Sequence, residues 1–384
     1  MKTFRKYLKY LPILIVCQCL AVIAFNWYVD PYGVWHPESV TQGINKVKPA
    51  QNQQVRLFKA RDIVRLQPKT VFLGSSKAEF GLDPSHPALQ NNQPVYNLAL
   101  TGANMHETKR YLEHAYAMQP ELQLVILGID LFMFDSIGQN RPNFRDARLE
   151  NKSMVFPDIL NVLFSLDATE DSIKTIQDNQ ENPDAVGFFH ENGSRDAEYY
   201  RNHVYRHLST REFWKRSLQN NRFFQTKDRY KSFEVADSFI QDFQDFVKFC
   251  KDNNIELKVF IAPSHATYWE SIWVSRIWPF FKQWKRDIVQ ITPFWDFSGY
   301  NSITTEPVND SMQNFIESVH YTKKVGNLIL NRLLDFHEEK VPDDFGVWVT
   351  PENIESHLAR IRRNRQSWVE SHPETAQLVR SLKP

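Results

Sequence analysis

Three residue types that define specialised folds are scarce in this 384-residue chain, which has 3 cysteines, 12 glycines and 20 prolines. Three cysteines cannot form a disulfide framework or a cysteine-rich metal cluster. The low glycine and proline content excludes collagen-like and low-complexity chains. An excess of charge of one sign is also lacking, because 46 Lys and Arg residues face 45 Asp and Glu residues. We therefore expect no nucleic-acid partner, since no overall field attracts one.

Apolar and aromatic residues are abundant instead. Hydrophobic residues make up 42% of the chain, which contains 28 Phe, 14 Tyr and 10 Trp. A chain of this composition can bury enough apolar surface to offset its ordering entropy, which excludes an intrinsically disordered protein. The length predicts one large domain with insertions, or two domains.

The longest apolar run lies near the N-terminus and predicts a membrane anchor. Residues 11–28 are interrupted only by Pro12, Gln18 and Asn26, and about 20 apolar residues are enough to span a bilayer as a helix. Pro12 falls in the first turn of that run, where proline is tolerated. The run is closed by aromatic residues typical of a membrane interface, namely Trp27, Tyr28, Tyr32 and Trp35.

Basic residues in front of the run favour a cytoplasmic N-terminus; they are Lys2, Arg5, Lys6 and Lys9. Everything after Asp30 is then extracytoplasmic, in the periplasm or at the cell surface, and the protein is a single-pass membrane protein. A cleavable signal peptide is the main alternative, but residues 21–24 lack the usual spacing of small residues at a cleavage site. A buried core helix is the other alternative. Cys250, the only cysteine beyond the run, is expected to be buried and inert.

The rest of the chain alternates between short apolar runs and helical patterns. Five runs predict strands, at residues 70–73, 95–98, 122–128, 257–261 and 294–297. Helical patterns cover residues 47–66, 105–118, 238–253, 322–334 and 351–369. Strands separated by helices predict an α/β fold, a three-layer α/β/α sandwich built on a parallel sheet.

This pattern predicts four segments. Residues 1–30 form the basic flank and transmembrane anchor, and 31–69 form a linker with a helix. Residues 70–340 form the α/β domain, and 341–384 form a helical extension. An insertion at about 132–231, with helices near 158–164 and 210–219, either covers the site at the strand ends or decorates a distant face.

Two motifs carry the predicted chemistry. Gly74-Ser75-Ser76-Lys77 follows the first strand and places a hydroxyl at the head of a helix, near backbone N–H donors. Glu317-Ser318-Val319-His320 precedes the closing helix. A serine nucleophile needs a histidine to take its proton and a carboxylate to orient that histidine. Either motif alone is weak, because most Gly-Ser-Ser turns only cap a helix. Their joint placement indicates a catalytic site.

The motifs, taken in order, resemble those of the SGNH hydrolase superfamily. More narrowly, the chain is similar to the membrane-anchored exported branch that includes alginate O-acetyltransferases and the D-alanyl transfer proteins of teichoic acid modification. The resemblance covers roughly residues 70–334 and implies a flavodoxin-like sheet. It is carried by Gly74-Ser75-Ser76, Asn97-Leu98-Ala99 with Gly102 and Asn104, Leu127-Gly128-Ile129-Asp130, and Glu317-Ser318-Val319-His320-Tyr321.

The resemblance implies a role for each matching residue. Ser76 would be the nucleophile, His320 the general base and Glu317 the residue that orients His320. Gly102 would supply a backbone oxyanion donor beside the N–H of Ser76. The family usually has Asp at the position of Glu317.

A second departure lies in the third block, where the hydrolases place an Asn oxyanion donor and this chain has Asp130. An ionised carboxylate cannot donate a hydrogen bond, and losing one such donor costs about 3 kcal/mol in the transition state. Slow transfer chemistry, a different donor such as Asn104, and a protein without activity all remain open.

Other histidines offer weaker candidates. His265 follows the fourth strand at the edge expected to hold Ser76, where it could contact substrate or act as the base. His203 and His207 have the i, i+4 spacing of a helical metal pair but lack an evident third ligand, so no metal site is expected.

We therefore expect an extracytoplasmic protein that transfers or removes an acyl group on a cell-surface glycan or polysaccharide, without a cofactor. Its acyl donor is expected to arrive through a membrane-bound acyltransferase. The competing interpretation is a non-catalytic glycan-binding or assembly protein that partners such an acyltransferase.

Overall fold

The computed structural model describes residues 2–37, 40–201, 207–220 and 228–383. The chain divides into two compact units. The first combines Met1–Arg65 with Asn143–Glu191, and the second combines Leu66–Pro142 with Asn192–Pro384. The stretch predicted as one insertion is therefore shared between both units. The C-terminal residues belong to the same unit as the sheet.

The second unit contains a six-stranded sheet in the order β2-β1-β3-β4-β5-β6. Its strands are β1 (Thr70–Gly74), β2 (Val95–Asn97), β3 (Leu124–Ile129), β4 (Glu256–Ile261), β5 (Phe294–Asp296) and β6 (Val347–Val349). The first five are parallel to their neighbours, and β6 is antiparallel to β5. The predicted α/β class and parallel sheet are confirmed. Strand β6 was not predicted, since residues 341–384 were expected to form a helical extension.

Helices occupy most of the remaining described chain. Their bounds are α1 (Lys2–Val29), α2 (Val55–Leu66), α3 (Ser76–Gly81), α4 (Met105–Met118), α5 (Asp146–Leu149), α6 (Phe156–Leu163), α7 (Leu166–Glu181), α8 (Ala197–Tyr199), α9 (Thr210–Gln219), α10 (Arg229–Ser232), α11 (Asp237–Asp252), α12 (Ala266–Val274), α13 (Trp278–Ile291), α14 (Lys323–Leu333), α15 (Ile354–Ser371) and α16 (Pro373–Ser381).

The core of the second unit forms around the central strands. Every residue of β1, β2 and β3 is buried. Phe72 of β1 and Phe260 of β4 share one apolar cluster with Val325 and Leu330 of α14. Continuous burial explains why these strands read as unbroken apolar runs, since no position alternates toward water.

Two glycines allow α3 and α14 to pack unusually close together. A Cβ atom on Gly326 of α14 would clash with the backbone carbonyl of Gly81 in α3. A Cβ atom on Gly81 would in turn clash with the ring of Tyr321, which comes just before α14. This approach matters for the site, because α3 begins at Ser76 and α14 follows His320.

The first unit contains α1, a helix long and apolar enough to cross a membrane over Lys9–Val29. Only 11% of that stretch is buried, which argues against a buried core helix. The sequence analysis placed Pro12 in the first turn of this helix. The helix begins at Lys2, so Pro12 lies in its interior instead. Proline there lacks the N–H that would donate one intrahelical hydrogen bond.

Asp30 ends α1 sharply. Its backbone has a left-handed φ of +47°, and its carboxylate accepts hydrogen bonds from the N–H groups of Val34 at 2.8 Å and Trp35 at 3.2 Å. Lys48 donates to the Asp30 carbonyl at 2.9 Å and lies 3.7 Å from its carboxylate. The buried charge pair therefore holds the turn that follows the apolar helix.

Candidate active site

Ser76 lies where β1 turns into α3. Gly74, the last residue of β1, has a φ of +135°, and a side chain there would clash with the carbonyl of Gly128 on β3. Ser75 caps α3, its hydroxyl accepting from the N–H of Lys77 at 3.3 Å. Ser76 is thus the first residue of the helix, where N–H groups have no intrahelical acceptor and the helix dipole favours negative charge.

Ser76, His320 and Glu317 form a continuous hydrogen-bonded chain. The Nε2 atom of His320 lies 2.8 Å from Oγ of Ser76, and its Nδ1 atom is bonded to the carboxylate of Glu317. A carboxylate only accepts hydrogen bonds, so Nδ1 carries the proton and Nε2 accepts from the serine hydroxyl. Ser76 and His320 are 244 positions apart in the sequence. Together with Glu317 they have the arrangement of a nucleophile, a base and an orienting acid.

Glu317 is held by an extensive set of donors. Its carboxylate is 3% exposed and accepts from the backbone N–H groups of Val319 at 2.8 Å and His320 at 3.0 Å. The hydroxyl of Ser217 on α9 also donates to it. Burial alone would raise the pKa of Glu317, but the attraction of His320 and these hydrogen bonds outweigh it and hold the pKa below its usual value. Glu317 is therefore ionised in the folded protein at neutral pH.

Aromatic rings cover the side of His320. The ring of Phe80 lies 5.0 Å from the imidazole and that of Tyr200 lies 6.4 Å away. The His320 side chain retains 16% exposure. His320 is therefore shielded on one side by aromatic rings and remains partly exposed.

Gly102 and Asn104 lie at the start of α4, beside a pocket of about 420 Å³ that they line with Phe132, Arg141 and Arg229. Neither Ser76 nor His320 lines this pocket. Gly102 has a left-handed φ of +66°, and its carbonyl accepts from Nε of Arg141 at 3.3 Å. Asn104 caps α4 by accepting from the N–H of Glu107 at 2.8 Å.

The amide nitrogen of Asn104 is already in use. It donates to the carbonyl of Gly138 at 3.0 Å and to the side-chain oxygen of Asn140 at 2.9 Å. Both of its hydrogens therefore have acceptors, and the side chain is only 4% exposed. This geometry favours a structural role for Asn104 over the alternative oxyanion donor proposed from the sequence.

Asp130 does not face open space either. Its carboxylate accepts from the hydroxyl of Ser75 at 2.5 Å and is ion-paired with the ammonium group of Lys77. Asp130 and Lys77 are 4% and 1% exposed. Asp130 thus holds the two neighbours of Ser76 and is largely inaccessible, which argues against a direct contact of Asp130 with an oxyanion or a substrate.

His265 is buried in the second unit. Its Nε2 atom lies 2.7 Å from the carbonyl of Glu306 and its Nδ1 atom lies 2.9 Å from the hydroxyl of Thr267. The residue is 2% exposed, and burial lowers the pKa of its imidazole to about 4. Both ring nitrogens are occupied, so this environment favours a neutral structural histidine over a substitute base.

Several residues near the site carried no recognisable sequence signal. Ser217 reaches Glu317 from within the predicted insertion, 100 positions away in the chain. Arg195 bonds to Thr101 at 2.7 Å, and its guanidinium lies 4.8 Å from the centre of the Phe80 ring. Lys77, which pairs with Asp130, could have been noticed in the sequence as part of the site, since it directly follows Ser76.

The residues that the structure describes include no group of three or more His, Cys, Asp or Glu side chains suited to a metal ion. His203 of the suspected pair lies outside the described residues. Cys250 is 1% exposed, and burial raises the pKa of its thiol to about 12, as expected for an inert cysteine.

In comparisons with known proteins, no protein-family model matches the chain, and no curated protein matches it.

Proposed function

We propose that the protein transfers or removes an acyl group through a serine nucleophile. The observation that carries this proposal is the Ser76–His320–Glu317 chain, with 2.8 Å between the Ser76 oxygen and Nε2 of His320. The Ser76 oxygen attacks the acyl carbonyl carbon while Nε2 takes the hydroxyl proton. When the intermediate collapses, His320 returns that proton to the departing oxygen, and the acyl group remains on Ser76 as an ester.

The second half of the reaction reverses the first. A hydroxyl of the acceptor, or water, gives its proton to Nε2 of His320 and attacks the Ser76 ester. His320 then returns the proton to the Ser76 oxygen, so the serine is regenerated. The acceptor decides the outcome, since a sugar hydroxyl gives transfer and water gives hydrolysis. Ionised Glu317 stabilises the imidazolium that forms in each half.

Backbone groups are the best candidates for stabilising the negative oxygen. The N–H of Ser76 lies in the first turn of α3, and Gly102 follows the end of β2. Oxyanion donors contribute most when they are fixed before the reaction begins. Asp130, bonded to Ser75 and Lys77, holds the turn that carries Ser76 and makes no direct contribution to the oxyanion.

We further propose that the second unit is a three-layer SGNH-like domain. The order of β1 to β5, which is 2-1-3-4-5, is that of flavodoxin-like doubly wound sheets. Helix α4 packs on α11, and α3 packs on α14, as two separate helical layers would require. The active site then lies at the carboxyl ends of the strands, in agreement with the positions of Ser76 after β1 and Gly102 after β2.

The resemblance to the exported, membrane-anchored branch supplies the proposed setting. The substrate is a cell-surface glycan or polysaccharide outside the cytoplasm, and the acyl donor is delivered by a membrane-bound acyltransferase. A reporter enzyme fused after Asp30 tests the orientation. Activity of that reporter only outside the cytoplasm supports the proposal, and cytoplasmic activity contradicts both the location and the glycan substrate.

A second candidate is a non-catalytic glycan-binding or assembly protein that partners the acyltransferase. The observation that favours it is Asp130, because its carboxylate stands where the family has an amide donor. A protein that only binds glycan has no use for a reactive serine.

Labelling with a fluorophosphonate probe, read by intact mass, separates the two candidates. We expect one adduct on the wild-type protein and none on Ser76→Ala. Ser75→Ala is the matched control, because it removes the adjacent hydroxyl, which is buried and donates to Asp130. It should keep the adduct, and a wild-type protein that forms none would favour the binding candidate.

A further inference from the structure

The first unit carries a helix whose apolar and charged sides are reversed. Helix α6 exposes Phe156 at 70% and Leu160 at 40%, while its one charged residue, Asp158, is 1% exposed. Asp158 forms a bidentate ion pair with Arg148, at 2.7 and 2.8 Å. A water-facing helix normally shows the opposite arrangement. The exposed apolar side of α6 is therefore suited to an apolar environment.

The apolar surface continues into the start of α7. Phe156 and Leu160 are four residues apart on α6, so they share one side, and Phe164, which follows the helix, is 46% exposed. Leu166, the first residue of α7, is 89% exposed. Residues 156–173, here called the α6–α7 corner, therefore present a patch of large apolar side chains. Exposed patches of this kind mark interaction sites.

Hydrogen bonds tie this corner to α1. The amide of Asn26 donates to the carbonyl of Leu163 at 3.0 Å and to the hydroxyl of Thr169 at 3.1 Å. Its oxygen accepts from the hydroxyl of Ser172 at 2.9 Å. Asn26 is 1% exposed, so its polar groups are satisfied by the corner and not by water. The position of the corner along α1 is thereby determined.

That position falls within the apolar part of α1. The stretch Lys9–Val29 has 21 residues, which at about 1.5 Å per residue matches the roughly 30 Å thickness of a bilayer core. Asn26 precedes Val29 by three residues, or about 5 Å. The neighbouring Trp27 and Tyr28 are each 51% exposed, as in an interfacial aromatic belt. The corner is therefore at the depth where a bilayer around α1 would end.

We propose that the α6–α7 corner inserts into the lipid leaflet in which α1 ends. The occupant of its apolar surface is the lipid bilayer, because α1 already brings acyl chains to the depth at which Asn26 holds the corner. Asp167 and Glu170 are exposed on α7, so the corner lies at the interface, with these carboxylates among the headgroups. The anchor is then a helix and an interfacial corner joined by buried hydrogen bonds, not a helix alone.

This inference rests on α1 crossing the membrane and requires no catalytic activity. It is tested on the full chain with Cys17 and Cys19 replaced by alanine, reconstituted into phosphatidylcholine vesicles. Cys250 is 1% exposed and does not react, so a single introduced cysteine carries an environment-sensitive NBD fluorophore. The test positions are Phe156→Cys and Leu166→Cys. Glu181→Cys is the matched control, because it is exposed at the other end of α7, about 22 Å from Leu166.

We expect the labels at 156 and 166 to emit at shorter wavelength and to lose most of their fluorescence to spin-labelled lipid, whereas the label at 181 does neither. Water-like, unquenched emission at 156 and 166 would overturn the inference. Shifted emission without lipid quenching would also overturn it, since a second copy or another protein would then cover the corner. Equal quenching at all three positions would contradict the specific depth that we assign.

Discussion

Shortening Glu317 by one methylene is the sharpest perturbation of the candidate site. The family that the motifs resemble usually carries Asp at the matching position, so Glu317→Asp replaces the residue by the one the resemblance favours. From the structure we expect this variant to lose activity. The carboxylate would move back by about 1.5 Å, the length of one carbon–carbon bond. Hydrogen bonds now at 2.8 Å to Val319 N–H and 3.0 Å to His320 N–H would lengthen beyond 4 Å and break.

The magnitude follows from the number of groups left without an acceptor. The two backbone N–H groups, the hydroxyl of Ser217 and Nδ1 of His320 all donate to this one carboxylate. Each buried donor without a partner costs about 1–3 kcal/mol. The imidazole would also lose the group that orients it. We expect Glu317→Asp to lower kcat/KM on the order of 10³-fold, as Ser76→Ala and His320→Ala should.

Glu317→Gln is the matched control, because it keeps the side-chain length and removes the charge. We expect a smaller loss, about 10²-fold, since the imidazole stays in place but its charged form is less stabilised. The predicted order of activity is therefore wild type, then Gln, then Asp. An argument from charge alone predicts the reverse order for the two variants.

The assay is hydrolysis of a small acyl ester by the purified full-length protein, with circular dichroism to show that each variant is folded. The Ser76→Ala/His320→Ala double variant should be barely less active than either single variant, because residues that act as one unit are not additive. Wild-type activity in Glu317→Asp would refute the geometric reasoning. Wild-type activity in folded Ser76→Ala would refute the nucleophile assignment.

Three further predictions follow from neighbouring contacts. Ser217→Ala removes one donor to Glu317 and should lower kcat about 10-fold with KM unchanged, as measured with the same ester. Gly326→Ala places a methyl group against the carbonyl of Gly81 and should cost about 1–3 kcal/mol in urea unfolding, together with activity, because α3 and α14 must separate; unchanged stability would contradict this packing. The unfolded chain protonates His265 near pH 6.5 and the folded chain near 4, so unfolding free energy should fall by about 3 kcal/mol as pH drops between these values, and His265→Gln should abolish that part of the slope.

Local patterns predicted the elements that position Ser76 and His320. Residues 70–73 and 122–128 are nearly continuous apolar runs because β1 and β3 are buried throughout, and a glycine follows or ends each run. The two motifs could be recognised in the sequence because one lies at the start of α3, directly after β1, and the other lies just before α14. The sequence thus predicted that Ser76, His320 and Glu317 lie in one region of the fold. It could not show the hydrogen bond between Ser76 and His320.

Contacts between distant segments could not be read in this way. The stretch at 132–231 looked like one insertion, yet Asn143–Glu191 belongs to the N-terminal unit, and Trp214 of α9 lies in the second unit with 2% exposure. A composition pattern carries no information about which partner a helix buries its apolar side against. The contact of Ser217 with Glu317 depends on that choice of partner, and it was therefore missed.

Asp130 shows why a departure from a family pattern has to be judged with its neighbours. Lys77 is 1% exposed, with its ammonium 4.9 Å from the ring centre of Tyr268, so it needs the carboxylate with which it is paired. Asp130→Asn would introduce the amide that the resembled family has at the matching position, but it would leave a buried charge without its counterion, at a cost of about 3–5 kcal/mol. We therefore expect Asp130→Asn to lower both stability and ester hydrolysis, and Asp130→Asn with Lys77→Met to recover stability in urea unfolding. A more active single variant would show that Asp130 occupies a true oxyanion position and that its pairing with Lys77 is dispensable.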